Sequence, residues 1–217
     1  MSAPPTPPMT MNRLIHDAVR RDLTRLELAL EPLERRGDRP RALDLQRAYA
    51  NLRDELTRHH EGEDRWIWPM LAGAGGDHEL LTAMESEHHA MAEALAETAV
   101  AMERVAGSGL TTDATAARVS VVRTGSLVEQ HFVHEERDLE PALVPFVESP
   151  EWKAVEKKLS RQPPRVAGRF FAWLTDGMTE EGRTFLRATV PTPVVTVLAR
   201  VFGRSYRRQI APVWRAS

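Results

Sequence analysis

Two stretches of the chain, HHEGEDRWIWP at 59–69 and HFVHEERDLEP at 131–141, gather imidazoles and carboxylates at helical spacing just ahead of a proline. On a helix, HxxxE sets a nitrogen and an oxygen donor one turn apart on the same face. The chemistry open to such pairs is metal ligation. The 217 residues contain no cysteine, so a metal must be held by imidazole and carboxylate, which leaves iron, zinc and manganese open.

Whether these donors turn inward depends on the helices that carry them. Leucine, alanine, glutamate and arginine dominate residues 11–147, with glycine and proline gathered at RRGDRP, AGAGGDH and AGSGLTTD, so the pattern predicts four helices joined by three short turns. In the first, Val19, Leu23, Leu26, Leu30 and Leu33 keep a 3–4 spacing, and one step back from Val19 lands on His16. The second stripe runs Leu45, Tyr49, Leu52, Leu56, His59, Glu63, Trp66 and Met70, with His60 about 100° off it. The third runs Leu81, Met84, His88, Met91, Leu95, Thr98, Met102 and Val105; the fourth, Ala117, Val121, Thr124, Val128, His131, Glu135, Asp138 and Ala142. Each helix contributes one inward histidine.

The spacing repeats. His16 to His59 and His88 to His131 both span 43 residues, and a shift of 72 carries His16 to His88, His59 to His131, Glu63 to Glu135 and Pro69 to Pro141. This is an internal duplication of a helical hairpin. Two such hairpins pack most simply as an antiparallel four-helix bundle with approximate two-fold symmetry, which brings the polar layers to a similar depth. Pro69 and Pro141 are expected to end or kink their helices.

Inward carboxylates and imidazoles without partners cost on the order of several kcal/mol. Four imidazoles and two carboxylates facing one another make a dinuclear metal set; the competing arrangement is a buried His/Glu hydrogen-bond network. Chance would put about two of the eight histidines on such stripes. Four, one per helix and related by one shift, favour the metal. His60, Asp64, His89 and His134 lie beside the stripes and read as solvated or orienting groups, and His78 as a surface or capping residue. Asp138, Glu55 and Glu85 are candidates to orient the imidazoles. Trp66 and Trp68 read as packing.

As a set, LIHDAV, HHEGEDRWIWP, ESEHHAM and HFVHEERDLEP resemble the hemerythrin-like HHE cation-binding family over residues 11 to about 147. The resemblance implies an all-α, antiparallel four-helix bundle of hemerythrin type around an oxo- or hydroxo-bridged di-iron centre. His16, His59, His88 and His131 would be terminal ligands, and Glu63 and Glu135 bridging carboxylates. Oxygen-carrying hemerythrins place two histidines one turn apart on helix three; here Met84 and Ala92 flank His88. With six-coordinate irons, two positions then stay open unless His60 or His89 swings in. Members of the family carry oxygen, sense oxygen or iron, or act on peroxide or nitric oxide. The open positions point to binding or reduction of a small oxidant (O2, peroxide or NO), an enzyme of catalase or peroxidase kind being one form of it. The alternative is a non-catalytic oxygen, iron or redox sensor signalling through the C-terminal extension. A ferritin-like site would need ExxH on two helices, and only Glu85 with His88 supplies one.

Residues 1–10 read as a disordered tail and 148–217 as a basic helical extension. In the latter, Ser149 caps a short helix opened by Pro150, and three more helices are bounded by the prolines at 163, Gly177 and Pro191. The extension is expected to pack across the bundle. From Gly182 onward it carries seven arginines and no acid, so the net charge of −2 divides into +7 there and −9 over residues 1–181. An acidic partner for VVTVLARVFGRSYRRQI, an anionic lipid surface or a nucleic acid is the sharper alternative. No clear nucleic-acid motif or membrane signal is present, no apolar run reaches spanning length, and the expected location is cytoplasmic. The three lysines among 29 basic residues fit coding from a G+C-rich bacterial genome. Oligomeric state is left open.

Overall fold

The structure, a computed structural model, describes residues 9–215; residues 1–8 of the expected tail lie outside them. All regular elements among the described residues are helical. Helix α1 (Met11–Arg35) begins where Thr10 Oγ1 accepts the Arg13 N–H at 3.1 Å. Asp38 caps α2 (Arg39–Gly62) in the same way, with Pro40 in its first turn. A short α3 (Trp68–Gly73) leads to α4 (His78–Ser108), capped by Asp77, and then come α5 (Thr111–His134) and α6 (Glu140–Leu143). Helix α4 stops at Gly109, whose φ of 68° suits glycine alone at little cost. Its carbonyl lies 2.1 Å from where a Cβ on Gly37 would sit, so the two far turns of the bundle meet through glycines.

The long helices close a ring: α1 packs on α2 and α5, and α4 on α2 and α5. Side-chain pairs fix their senses. Arg20, early in α1, holds Glu129 late in α5 at 2.6 Å, while Arg118 early in α5 reaches Glu27 at 3.6 Å and Glu34 at 3.8 Å. Leu26, Leu30, Leu45, Leu52, Leu56 and Met102 fill the centre. Buried polar groups there are matched: Tyr49 Oη donates to the Leu95 carbonyl at 2.6 Å, and Thr124 Oγ1 meets Thr98 Oγ1 at 2.9 Å.

One departure from regular helix decides the register at the other end. Residues Glu63–Ile67 and Glu135–Leu139 are π-helical turns, 72 residues apart, in which Trp68 N–H bonds to Glu63 O and Glu140 N–H to Glu135 O. Pro69 and Pro141 follow directly. A proline cannot donate to the carbonyl four back and its ring crowds it, and the widened turn relieves that conflict without ending the helix. The extra residue advances the stripe: Ile67 and Leu139 are buried where Trp66 and Asp138 were expected, and Asp138 pairs with Arg137 near solvent.

The extension wraps this frame. Ser149 Oγ caps α7 (Pro150–Leu159), whose Val155 packs among Ile67, Trp68, Leu71 and Leu139 and so closes the end that carries the π turns. Helix α8 (Pro164–Leu174) lies against α1, followed by α9 (Glu180–Thr189), α10 (Thr192–Val197) and α11 (Arg204–Gln209). The anchor is Asp22, fully buried, which accepts from Trp173 Nε1 at 2.9 Å and from Arg21 Nε at 2.8 Å. Asp22→Ala leaves the indole N–H without an acceptor and Arg21 and Arg25 without their carboxylate, so it is expected to cost roughly 2–4 kcal/mol in urea unfolding. Asp22→Asn, which still offers the indole an acceptor, should lose less; equal losses would place the anchor elsewhere.

Candidate metal centre

His16 comes from α1, His59 and His60 from the last turn of α2, His88 from α4 and His131 from α5, while Glu63 and Glu135 open the two π turns. All six residues expected as ligands meet in one buried cluster. His16 Nε2 lies 3.3 Å from His59 Nε2, and His88 Nε2 lies 3.2 Å from His131 Nε2. Glu63 spans both pairs, with Oε1 3.4 Å from His59 Nε2 and Oε2 3.6 Å from His88 Nε2. Glu135 Oε2 is 3.2 Å from His16 Nε2 and 3.7 Å from His131 Nε2.

The outer nitrogens settle which inner ones carry protons. His16 Nδ1 faces Glu136 at 2.8 Å, His88 Nδ1 faces Asp64 at 2.7 Å, and His131 Nδ1 faces Glu87 at 2.8 Å. An ionised carboxylate only accepts, so each Nδ1 is the donor and, in a neutral ring, each Nε2 is bare. Two bare nitrogens 3.2 Å apart have no hydrogen to share. Two donors on one cation, each about 2.1 Å from it, lie roughly 3.0–3.4 Å apart at right-angled to tetrahedral geometry. Glu63 Oε2, Glu135 Oε2 and His60 Nε2 are likewise buried without a hydrogen-bond partner. Three orphaned atoms converging on two facing imidazole pairs fit a cation and strain any purely hydrogen-bonded network.

His60 is the site residue that the stripe missed. It is 6 % exposed, stacks on His88 at 4.1 Å between ring centroids, and groups with His88 and His131 within reach of a single ion. Helix α2 packs on two neighbours, so its inward arc is wider than one stripe: His59 meets His16 of α1 and His60 meets His88 of α4. Two adjacent histidines at the end of such a helix were the available signal. His89 and His78 are exposed, and Glu85 is too. Glu55 is buried but pairs with Arg58 and lies 4.0 Å from Arg169 of the extension. The orienting carboxylates are Asp64, one of the groups read as solvated or orienting, together with Glu87 and Glu136, which were not singled out.

The duplication extends to this outer ring, and so do its breaks. A shift of 72 relates Asp64 to Glu136, which orient His88 and His16 respectively. It also relates His60 to Phe132, and Phe132 stacks on His16 at 3.6 Å just as His60 stacks on His88. One half therefore has three imidazoles and the other two and an apolar wall. Asn12 Nδ2 donates to Glu135 Oε1 at 3.0 Å, whereas the counterpart of Asn12 beside Glu63 is Met84.

This asymmetry sets the charges. Burial pushes Glu63 well above the ordinary carboxyl range, and its neighbour Glu135 pushes it further. Burial opposes ionisation of Glu135 as well, but His16, 3.2 Å away, and the surrounding imidazoles hold it far below that range. For His16, burial disfavours the charge, yet Glu135 and Glu136 outweigh it and raise the pKa. Without metal, a proton on His16 thus does part of a cation's work. Burial drives His59 down to about 3 and His60 well below its ordinary value, so both are neutral donors near pH 7.

The family model described as hemerythrin HHE cation binding domain matches residues 11–143, more than half of the chain and all the residues of the cluster. No curated protein and no solved structure matches.

Glu63 and His59 act in opposite pH windows in the metal-free protein. A carboxyl raised above 4.5 contributes stability below pH 4.5 and loses it as pH rises towards its folded value. Glu63→Gln is therefore expected to raise the urea midpoint of metal-free protein at pH 7 and leave it unchanged at pH 4, while abolishing metal retention. An imidazole lowered from 6.5 to about 3 contributes stability above pH 6.5 that drains away as pH falls towards 3. His59→Gln should flatten that acid limb, and an unchanged limb would mean that His59 is not held neutral.

Proposed function

We propose a function for this centre from one premise: the chain belongs to the hemerythrin HHE cation-binding family. In this reading the four long helices are an antiparallel bundle of hemerythrin type, and the cluster holds two irons joined by an oxo or hydroxo bridge. His16 and His59 hold one, His88, His131 and His60 hold the other, and Glu63 and Glu135 span the pair. Bound there, the irons supply electron exchange with a small oxidant, O2, peroxide or nitric oxide.

The observation that carries the reading is the facing pair of bare Nε2 atoms on His88 and His131, 3.2 Å apart, with both Nδ1 protons committed to carboxylates. The rest of the chain serves that arrangement. Asp64, Glu87 and Glu136 keep the imidazoles in the donating tautomer. Arg20 steadies Glu136 at 2.9 Å. Phe132, fully buried, and Trp68, 7 % exposed, keep water from the two stacked imidazole faces. Glu87 accepts from His134 Nδ1 at 2.7 Å through its other oxygen, and His134 reaches solvent, so a proton arriving at His134 meets the carboxylate that holds His131.

Sensing is the second reading, favoured by one contact. Leu159 of α7 lies 3.0 Å from the Cβ position of Gly62, beside the turn that carries Glu63, so displacement of that turn would reach the extension. Under this reading, protease sensitivity of residues 148–217 differs between metal-free and iron-loaded protein, and equal cleavage rates would remove it.

Protein produced with iron is expected to hold about two irons per chain with an oxo-to-iron charge-transfer band. His60→Ala should fall to about one, and Glu63→Ala should lose both. Rapid peroxide turnover by the loaded protein would make it an enzyme. Correctly folded protein that stays free of iron on reconstitution would overturn the proposal.

A further inference from the structure

The segment Thr192–Phe202, helix α10 and the π-helical turn Leu198–Phe202 that continues it, is apolar apart from Thr192, Thr196 and Arg200. Its inner face meets α8 at close range, with Gly168 allowing the backbone of Leu198–Phe202 to approach so nearly that a Cβ there would sit 2.4 Å from Phe202 Cβ. The outer face has no protein cover. Val194, Val197, Val201 and Phe202 are 46 %, 53 %, 46 % and 38 % exposed, a denser run of bare apolar side chains than elsewhere on the described surface. A run of apolar side chains on a helix face is ordinarily buried.

Arginines frame this face. Arg200, Arg204, Arg207 and Arg208 are all exposed, within two turns of the valines, and none lies within ion-pair distance of a carboxylate among the described residues. Arginines elsewhere are divided: Arg183 pairs with Glu180 at 2.8 Å and Arg20 with Glu129 at 2.6 Å, while Arg36, Arg65 and Arg104 have no carboxylate either but stand apart from any such apolar run. Exposed valine beside unpaired arginine calls for a partner that is apolar within and anionic at its surface.

We infer that Thr192–Arg208 is a docking surface for an anionic phospholipid bilayer, with Val194, Val197 and Val201 entering the headgroup boundary and the four arginines meeting lipid phosphates. A second copy of this chain fits poorly, because a two-fold contact would set the four unpaired arginines against four more. Nucleic acid would reward the arginines and leave the valines bare. In this inference the segment lies on the membrane: no single helix among the described residues is long and apolar enough to span, and although Glu180–Thr189 and Thr192–Phe202 together have the length, they are bent by 112° and the first carries Glu180, Glu181, Arg183 and Arg187.

The test is flotation of the full iron-loaded chain with vesicles of phosphatidylcholine alone or mixed with phosphatidylglycerol, at low and high salt. Binding is expected only with phosphatidylglycerol and should weaken with salt. Arg204→Ser with Arg208→Ser should weaken it roughly tenfold or more. Val197→Ser with Val201→Ser, exposed positions whose change leaves the fold and iron content intact, should also release the protein. No binding to phosphatidylglycerol vesicles at low salt would overturn the inference. So would full binding by the valine variant, or tighter binding to duplex DNA or to an acidic polypeptide than to vesicles.

Discussion

Everything near the centre depends on where three protons sit. Asp64, Glu87 and Glu136 each take an Nδ1–H from an imidazole, and that choice leaves the inner nitrogens bare and facing one another. The carboxylates are partly exposed, while the imidazoles they orient are buried. The helices tolerate the arrangement because a convergent cation offsets the desolvation of both glutamates, whereas without one the proton on His16 serves Glu135 and burial favours the neutral form of Glu63. Without that compensation the layer would be the weakest part of the bundle rather than its organising feature.

Most of this was legible in the chain because a helix writes its inward face at a fixed period. His16, His59, His88 and His131 fell in phase with Leu26, Leu52, Met91 and Val121, and the 72-residue shift tied the halves together. Period reading failed where the period itself changes. Past Glu63 and Glu135 the π turns add a residue, so Trp66 and Asp138 were placed inward and Ile67 and Leu139 proved to be the buried ones. Pro69 and Pro141 were the visible cause, since a proline conflicts with the carbonyl four residues before it. His60 was missed for another reason: a single stripe describes one interface, and α2 has two. Of the orienting carboxylates only Asp64 was singled out, as a solvated or orienting group beside its stripe; Glu87 and Glu136 were not, because each sits on a helix other than that of the imidazole it holds.

The extension shows what a second layer does for a bundle with a polar centre. Helix α7 covers the end where the widened turns expose backbone, and α8 brings Trp173 and Arg169 to polar groups on the outer faces of α1 and α2, Asp22 and Asn51. Asp22 Oδ2 and Asn51 Oδ1 each accept from the extension, while Asn51 Nδ2 and Glu55 Oε1 at the same contact have no hydrogen-bond partner. The extension is therefore tied to this bundle at named polar atoms, which is more specific than covering it with leucine.

The duplicated hairpin keeps one position in two states: histidine at 60, phenylalanine at 132, each stacked on the same kind of imidazole. Both rings are flat, of similar thickness and fully packed, so exchanging one for the other leaves the scaffold unmoved while changing the number of nitrogens on offer. A cation approaching the cluster meets three imidazoles on one side and two on the other. In the two-metal reading the richer half would be the tighter of the two, and a cation there would draw Glu63 towards the ionised form that Glu135 already has. A repeat of two like halves presents a cluster with two unlike sides.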